Sequence, residues 1–216
     1  AKWIGNDIPV FCYHPKMAPV GMCRMCLVEM GARAVDKETS DWVRGEDGEP
    51  SVRMQPKLAT ACPTVVSHGL VVKTDTQVVT DARKNVLEYL LTSHPLDCPV
   101  CDKGGECTLQ ELTMTYGPGV SRMNFDDKKH LDKFKPLGDL IFLDEERCIQ
   151  CARCIRFQKE VAGDDVLGFF ERGRSLQIIT YSDPPFDTYF GGNTTDVCPV
   201  GALTTADSAL AHGRGK

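Results

Sequence analysis

No apolar run in the 216-residue chain approaches the 18 residues that a membrane-spanning helix needs. The longest mostly apolar stretch, Leu58 to Val72, is broken by Pro63, Ser67, His68 and Gly69. Basic charge is not in excess either: 25 Lys and Arg stand against 30 Asp and Glu, a formal net charge of −5. Without clustered Lys and Arg there is little to neutralise phosphates, which argues against a nucleic-acid partner, and no polybasic run suggests direct membrane contact. Aromatic residues are scarce at 7%, so several small units are expected rather than one large core. Gly-x-Gly-x-x-Gly, the P-loop, Gly-x-Ser-x-Gly and a paired histidine site are all absent. The chain therefore shows no catalytic residues and no site for NAD, FMN or an organic substrate. Its opening, Ala1 to Asp7, has no apolar segment of secretory type and no initiating Met, and reads as the start of an internal fragment.

What is abundant is cysteine. There are 11, an odd number in a chain too long for a small disulfide scaffold. By spacing they fall into three sets. The first is Cys12-x10-Cys23-x2-Cys26, then Cys62; the second is Cys98-x2-Cys101-x5-Cys107; the third is Cys148-x2-Cys151-x2-Cys154, then Cys198-Pro199. Short clusters of this kind point to thiolates that bind metal rather than to disulfides or idle thiols. The second set lacks a fourth thiol, and His94 stands four residues before Cys98. Eleven cysteines and this histidine make three sets of four ligands with none left over.

The third set has the spacing that wraps three corners of a [4Fe–4S] cube, with a distant Cys-Pro as the fourth. In two-cluster ferredoxins a further cysteine follows the triad after three residues; here that position is Gln158, so one cluster is expected in this segment. The first set follows the plant-type [2Fe–2S] order with its first gap lengthened. Four-cysteine zinc sites are the alternative for both. In the second set a neutral imidazole among thiolates reduces the negative charge around a cluster. His14, His68, His130 and His212 are expected to be ordinary surface or core residues. Asp97, Asp102 and Glu106 are read as solvated loop residues. The proposed clusters would carry the formal charge to about −10, which Arg24, Arg147, Arg153 and Arg156 stand near enough in sequence to offset.

Local patterning predicts an α+β chain in three parts. Residues 1–75 carry short strands at Ile8–Cys12, Cys26–Met30 and Leu70–Lys73, around a polar, turn-rich excursion from Gly31 to Lys57. Residues 76–119 hold a helix over Thr76–Thr92, stopped before Pro95, and a second helix carrying Leu109, Leu112 and Tyr116. Arg83, Lys84 and Glu88 are placed on the solvent side of the first helix, and 121–136 is a charged connector. Residues 137–216 begin with a strand at Ile141–Leu143, then a helix opened by the cysteine triad and ending near Val161. A strand at Leu176–Thr180 follows, and a Pro/Gly loop leads to Cys198. His212-Gly-Arg-Gly is expected to be a turn or tail.

Several runs together resemble the large iron–sulfur subunit of NADH–quinone oxidoreductase (respiratory complex I), the 75 kDa subunit family. They are Pro9-Val-Phe-Cys12-Tyr-His14, Gly21-Met-Cys23-Arg-Met-Cys26-Leu-Val-Glu29, and His94-Pro-Leu-Asp-Cys98-Pro-Val-Cys101 continuing to Gln110. Arg147-Cys-Ile-Gln-Cys151-Ala-Arg-Cys154-Ile-Arg156 and Gly192-Asn-Thr-Thr-Asp-Val-Cys198-Pro-Val-Gly201 agree. The resemblance implies a truncated β-grasp [2Fe–2S] domain on Cys12, Cys23, Cys26 and Cys62. It implies a small helical [4Fe–4S] domain on His94, Cys98, Cys101 and Cys107. A ferredoxin-like α+β domain would hold a second [4Fe–4S] cluster on Cys148, Cys151, Cys154 and Cys198, at the start of a molybdopterin-oxidoreductase-like region. Electrons would pass from a flavin-bearing, NADH-oxidising subunit to the first set, then the third, then the second, and on to a ferredoxin-like iron–sulfur subunit near quinone. The implied location is the peripheral arm of a membrane complex, on the cytoplasmic side of a bacterial inner membrane. The rivals are a diaphorase or accessory subunit of an NAD-linked hydrogenase or formate dehydrogenase, and a zinc-stabilised scaffold.

Overall fold

The computed structural model describes residues 1–36, 38–183 and 185–207; His212 and the tail expected around it lie outside them. The first part is built on strand β1 (Leu27–Arg33). Strands β2 (Val52–Met54), β3 (Ala59–Thr60) and β4 (Leu70–Lys73) all pair with β1 antiparallel. Val28 and Met30 point into the core at alternate positions, as one buried face of a sheet requires. The polar excursion folds back on itself, with bridges Val35–Trp42 and Arg44–Pro50, and returns as β2. Trp42 stacks on His68 at 5.3 Å between ring centroids, which gives that histidine a packing role.

Helix α1 (Gln77–Leu91) starts at Thr76, whose hydroxyl caps the amide of Val79. Its buried stripe is Val79, Arg83 and Leu87, four residues apart. Arg83 is therefore not on the solvent side: it is 4% exposed and lies 5.2 Å over the ring of Tyr116. Tyr116 belongs to α2 (Thr108–Tyr116), which packs against α1 and ends at Gly117. The connector after α2 is pinned to α1. Arg122 pairs with Glu88, and Lys128 donates to the carbonyls of Leu91 (2.6 Å) and His94 (2.8 Å).

The last part has a three-stranded antiparallel sheet of β5 (Lys135–Pro136), β6 (Ile141–Leu143) and, from the far end of the segment, β9 (Leu203–Thr205). Between β6 and β9 the chain forms α3 (Arg153–Phe157), the hairpin of β7 (Leu167–Phe170) and β8 (Gln177–Thr180), and α4 (Gly191–Asp196). Other expectations change too. Ile8–Cys12 is irregular, the helix after the triad widens into a π-helical turn at Gln158–Ala162, the Pro/Gly loop contains α4, and β2, β3, β5, β7 and β9 join the expected strands. No helix among the described residues is long and apolar enough to cross a membrane.

Candidate functional site

The loop before β1 brings the first cysteine set together in two pairs. Cys12 is hydrogen-bonded to Cys23, and that bond is the chief cause of a Cys12 pKa lowered to about 5. Cys26 and Cys62 have their sulfurs 3.4 Å apart, and burial, then Cys26 itself, push the Cys62 thiol up to about 12. Arg24, between the inner two cysteines, has φ 60°, and Gly21 has φ 65°. Left-handed backbone at a non-glycine residue costs of order 1 kcal/mol and is kept where a loop must turn its side chains inward.

The third set shows the same device. Gln150 (φ 56°) and Ala152 (φ 60°) alternate with the triad cysteines. Cys148, Cys151, Cys154 and Cys198 line one enclosed, mainly apolar cavity with Leu143, Ile178 and Val200. Burial, then the field of Cys198, drives Cys151 up to about 12, and burial raises the other three as well. A thiolate in such surroundings needs a metal to be stable. At the position where a two-cluster ferredoxin has its extra cysteine, Gln158 is fully buried. Its amide donates to Thr194 Oγ1 (2.5 Å) and accepts from Thr188 (3.2 Å).

In the second set, burial raises the Cys107 thiol, and Cys101 and Cys98 add to the effect, so the three thiols share one neighbourhood. His94 follows the end of α1 and is largely buried. Its Nδ1 has no hydrogen-bond partner, and burial, assisted by Lys128 and Arg147, holds its pKa down to about 4. A neutral imidazole with an idle nitrogen is the form in which histidine binds metal. Its link to the thiols runs through Arg147, whose charge faces both His94 and Cys101.

Arg147 is also where the acidic residues matter. It is 2% exposed and bonds Asp97 at 2.9 and 3.0 Å and Asp144 at 3.1 Å. Lys133 adds a 2.6 Å contact to Asp97. Burial works against ionisation of Asp97, but these two cations outweigh it and hold its carboxyl below the ordinary range. Asp97 is thus part of a buried ion-pair network rather than a solvated loop residue. Glu106 is exposed, as expected, and pairs with Lys103 at 3.2 Å.

The sets stand in series. The field of Cys12 reaches Cys151, and the loop carrying Cys198 touches the second set. Pro199 accepts from the Thr108 amide at 3.2 Å, and a Cβ on Gly201 would overlap Cys101 Sγ and lie 3.3 Å from Lys103 Cβ. Among the described residues no group of three or more His, Cys, Asp and Glu is placed to hold a single metal ion. Ligands spread around several irons need no such convergence. The inward thiols, the apolar pocket and the idle His94 nitrogen suit iron–sulfur clusters.

Sequence reading missed Arg83 as a buried group near this region. Its position four residues from both Val79 and Leu87 was the available signal.

Two family models match. Residues 83–122 fit an NADH-ubiquinone oxidoreductase-G iron–sulfur binding region, and residues 138–204 fit the ferredoxin-like domain of NADH-quinone oxidoreductase subunit 3. NADH-quinone oxidoreductase subunit 3 of Thermus thermophilus is 45% identical over 214 residues, covering 92% of this chain and 27% of that protein. The NADH-ubiquinone oxidoreductase 75 kDa subunit of Reclinomonas americana is 43% identical over 207 residues, covering 96% and 26%, respectively. The chain thus spans about a quarter of these relatives, 27% of the first. Among solved structures, a chain of an NAD+-reducing [NiFe]-hydrogenase in the H2-reduced state superposes with TM-score 0.73 at 27% identity, over 95% of this chain and 78% of that one. The relatives agree with the site that the residues build: the chain belongs to the family of the NADH-quinone oxidoreductase 75 kDa subunit and its bacterial counterpart, subunit 3, of which it carries an iron–sulfur region.

Proposed function

We propose that this chain conducts single electrons within an NADH–quinone oxidoreductase, from a flavin-bearing NADH-oxidising subunit toward a ferredoxin-like iron–sulfur subunit and quinone. Its place would be the peripheral arm, on the cytoplasmic side. The observation that carries this reading is the adjacency of the three thiol groups, with the field of Cys12 reaching Cys151 and Gly201 against Cys101. Cys12, Cys23, Cys26 and Cys62 would hold a [2Fe–2S] cluster; the two sulfur pairs suit two thiolates per iron. His94, Cys98, Cys101 and Cys107 would hold one [4Fe–4S] cluster, and Cys148, Cys151, Cys154 and Cys198 the other. When bound, these clusters accept and release one electron at a time.

The chain's own residues prepare those sites. The residues with positive φ turn the thiols inward, and the apolar wall of Leu143, Ile178 and Val200 excludes water. Lys128 fixes the carbonyl of His94 at 2.8 Å, and Arg147 supplies a positive charge toward Cys101. The three parts follow the chain as 1–75, 76–119 and from 137 onward, the first being a partial β-grasp.

The test is anaerobic iron, sulfide and zinc analysis with low-temperature EPR on the full-length protein. About ten irons with matching sulfide are expected from one two-iron and two four-iron clusters. Zinc without sulfide would end the reading. His94→Ala should lose about four of those irons and keep the other two EPR signals. His94→Cys should restore the irons at a lower midpoint potential, because thiolate adds a negative charge that imidazole lacks. Full iron content in His94→Ala would remove His94 from the ligand set.

The hydrogenase neighbour favours a second reading, a diaphorase-type iron–sulfur subunit. The buried, fully bonded Gln158 weighs against the two-cluster segment expected of that class. Native co-purification decides between them: hydrogen-dependent NAD reduction in the isolated complex would select the hydrogenase, and NADH-dependent quinone reduction the oxidoreductase.

A further inference from the structure

Arg153 and Arg156 lie one turn apart on α3 and so on one face. Both reach across to the loop of the first cysteine set. Arg156 donates Nη2 to the carbonyl of Cys12 and Nη1 to that of Ala18 at 2.6 Å. Arg153 donates Nη2 to the Tyr13 carbonyl at 2.6 Å and Nη1 to the Val197 carbonyl, directly before Cys198, at 3.5 Å. Every acceptor is a neutral carbonyl. Among the described residues no carboxylate forms an ion pair with either arginine. Glu160, the nearby candidate, instead accepts from the Ala18 amide at 2.7 Å. Arg156 is 9% exposed, and the Nε atoms of both side chains are buried without partners.

Buried charge without a counter-ion is costly, and carbonyl hydrogen bonds compensate only part of it. Docking alone would be served by neutral donors. A guanidinium keeps its charge in any such environment, which makes arginine the residue for a permanent buried cation. Cysteine sets lie on either side: Arg156 is bonded to the backbone of Cys12, and Arg153 stands in the triad loop between Cys151 and Cys154 and is bonded to the carbonyl before Cys198.

We propose that Arg153 and Arg156 form a cationic partition between the first and third cysteine sets, favouring the reduced state of the groups bound on both sides and screening their mutual repulsion. This rests on the iron–sulfur reading above. A fixed cation stabilises whichever redox state is more negative, so each midpoint potential is higher with the arginine than without it. Arg156, bonded to the Cys12 carbonyl, acts mainly on the first set; Arg153, which lies between Cys151 and Cys154 and bonds the carbonyl before Cys198, acts mainly on the third.

The experiment compares Arg156→Gln, which keeps donors but loses charge, with Arg156→Lys, which keeps charge but loses one of the two cross-chain bonds. Both are made in the full-length protein within its assembled complex. Iron and sulfide are counted, and EPR-monitored redox titrations read each midpoint. Arg156→Gln is expected to lower the reduced-to-oxidised ratio of the [2Fe–2S] signal about tenfold at fixed potential, a shift of about 59 mV for one electron. Arg156→Lys should shift less than half as much, and Arg153→Gln should move the third-set signal more than the first. If Arg156→Gln loses the first-set iron while Arg156→Lys retains it, the same requirement for charge is met at the level of occupancy. Unchanged midpoints in iron-replete variants, or equal iron loss from both, would make the arginines docking props and overturn the proposal. An unsubstituted protein without iron and sulfide would instead overturn the iron–sulfur reading itself.

Discussion

Cys198→Ser is expected to interrupt the series at its middle while leaving the first set intact. Cys198 is the only member of the third set supplied from outside the triad loop, and it is fixed between α4 and β9. Its backbone amide bonds the Thr195 carbonyl at 3.1 Å. Serine matches it in size, so the sheet of β5, β6 and β9 should survive. What changes is the donor: a hydroxyl binds soft iron far less readily than a thiolate. Iron analysis should show a loss of about four atoms, with the [2Fe–2S] EPR signal retained. NADH should then reduce the first set but not the second. Loss of the [2Fe–2S] signal instead would show that the thiols are grouped wrongly.

Gly201→Val should damage the second set, although Gly201 belongs to the loop of the third. The backbone of Gly201 passes so close to Cys101 that even a methyl group would overlap its sulfur, with Lys103 Cβ only 3.3 Å away. Neither neighbour can withdraw freely. The Lys103 carbonyl accepts from Glu106, Cys101 closes the tight turn to Gly104 at 3.0 Å, and Pro199 is bonded to Thr108. Overpacking of this kind typically costs about 1–3 kcal/mol, and the softest response is rotation of the Cys101 thiol out of its position. The expected result is loss of the EPR signal assigned to the second set with the other two unchanged, together with a lower unfolding temperature. Gly201→Ala should show the same pattern in milder form. A third-set defect with an intact second set would mean that the two loops are not in contact in the assembled protein.

Much of this site was legible because thiols at short spacing leave few chemical alternatives. The fold pairs Cys12 with Cys23 and Cys26 with Cys62, puts Cys98, Cys101 and Cys107 within one another's fields, and lines one cavity with Cys148, Cys151, Cys154 and Cys198. Elements with strong periodicity or clear stops were legible too. Helix α1 runs from its Thr76 cap to a stop before Pro95, and β4 and β6 occupy the expected residues. Elements determined by distant partners were not. β9 exists because Leu203 to Thr205 find β6 across some sixty residues, and β7 is a short run containing glycine whose only partner is β8. Arg83 was misread because a charged side chain was assigned to solvent by type, although its spacing placed it on the apolar stripe. Asp97 was misread because both of its cations, Lys133 and Arg147, come from beyond α2.

The clamp on the first loop also bears on how the protein is made. Residues 1–75 leave the ribosome before α3, so the carbonyls of Cys12, Tyr13 and Ala18 meet their arginine donors only once the chain some 140 positions later has been synthesised. Until then the loop bearing Cys12, Cys23 and Cys26 lacks the two arginines that tie its carbonyls to α3. The final geometry of the first loop therefore waits on the third part of the chain, and the two parts complete their fold together.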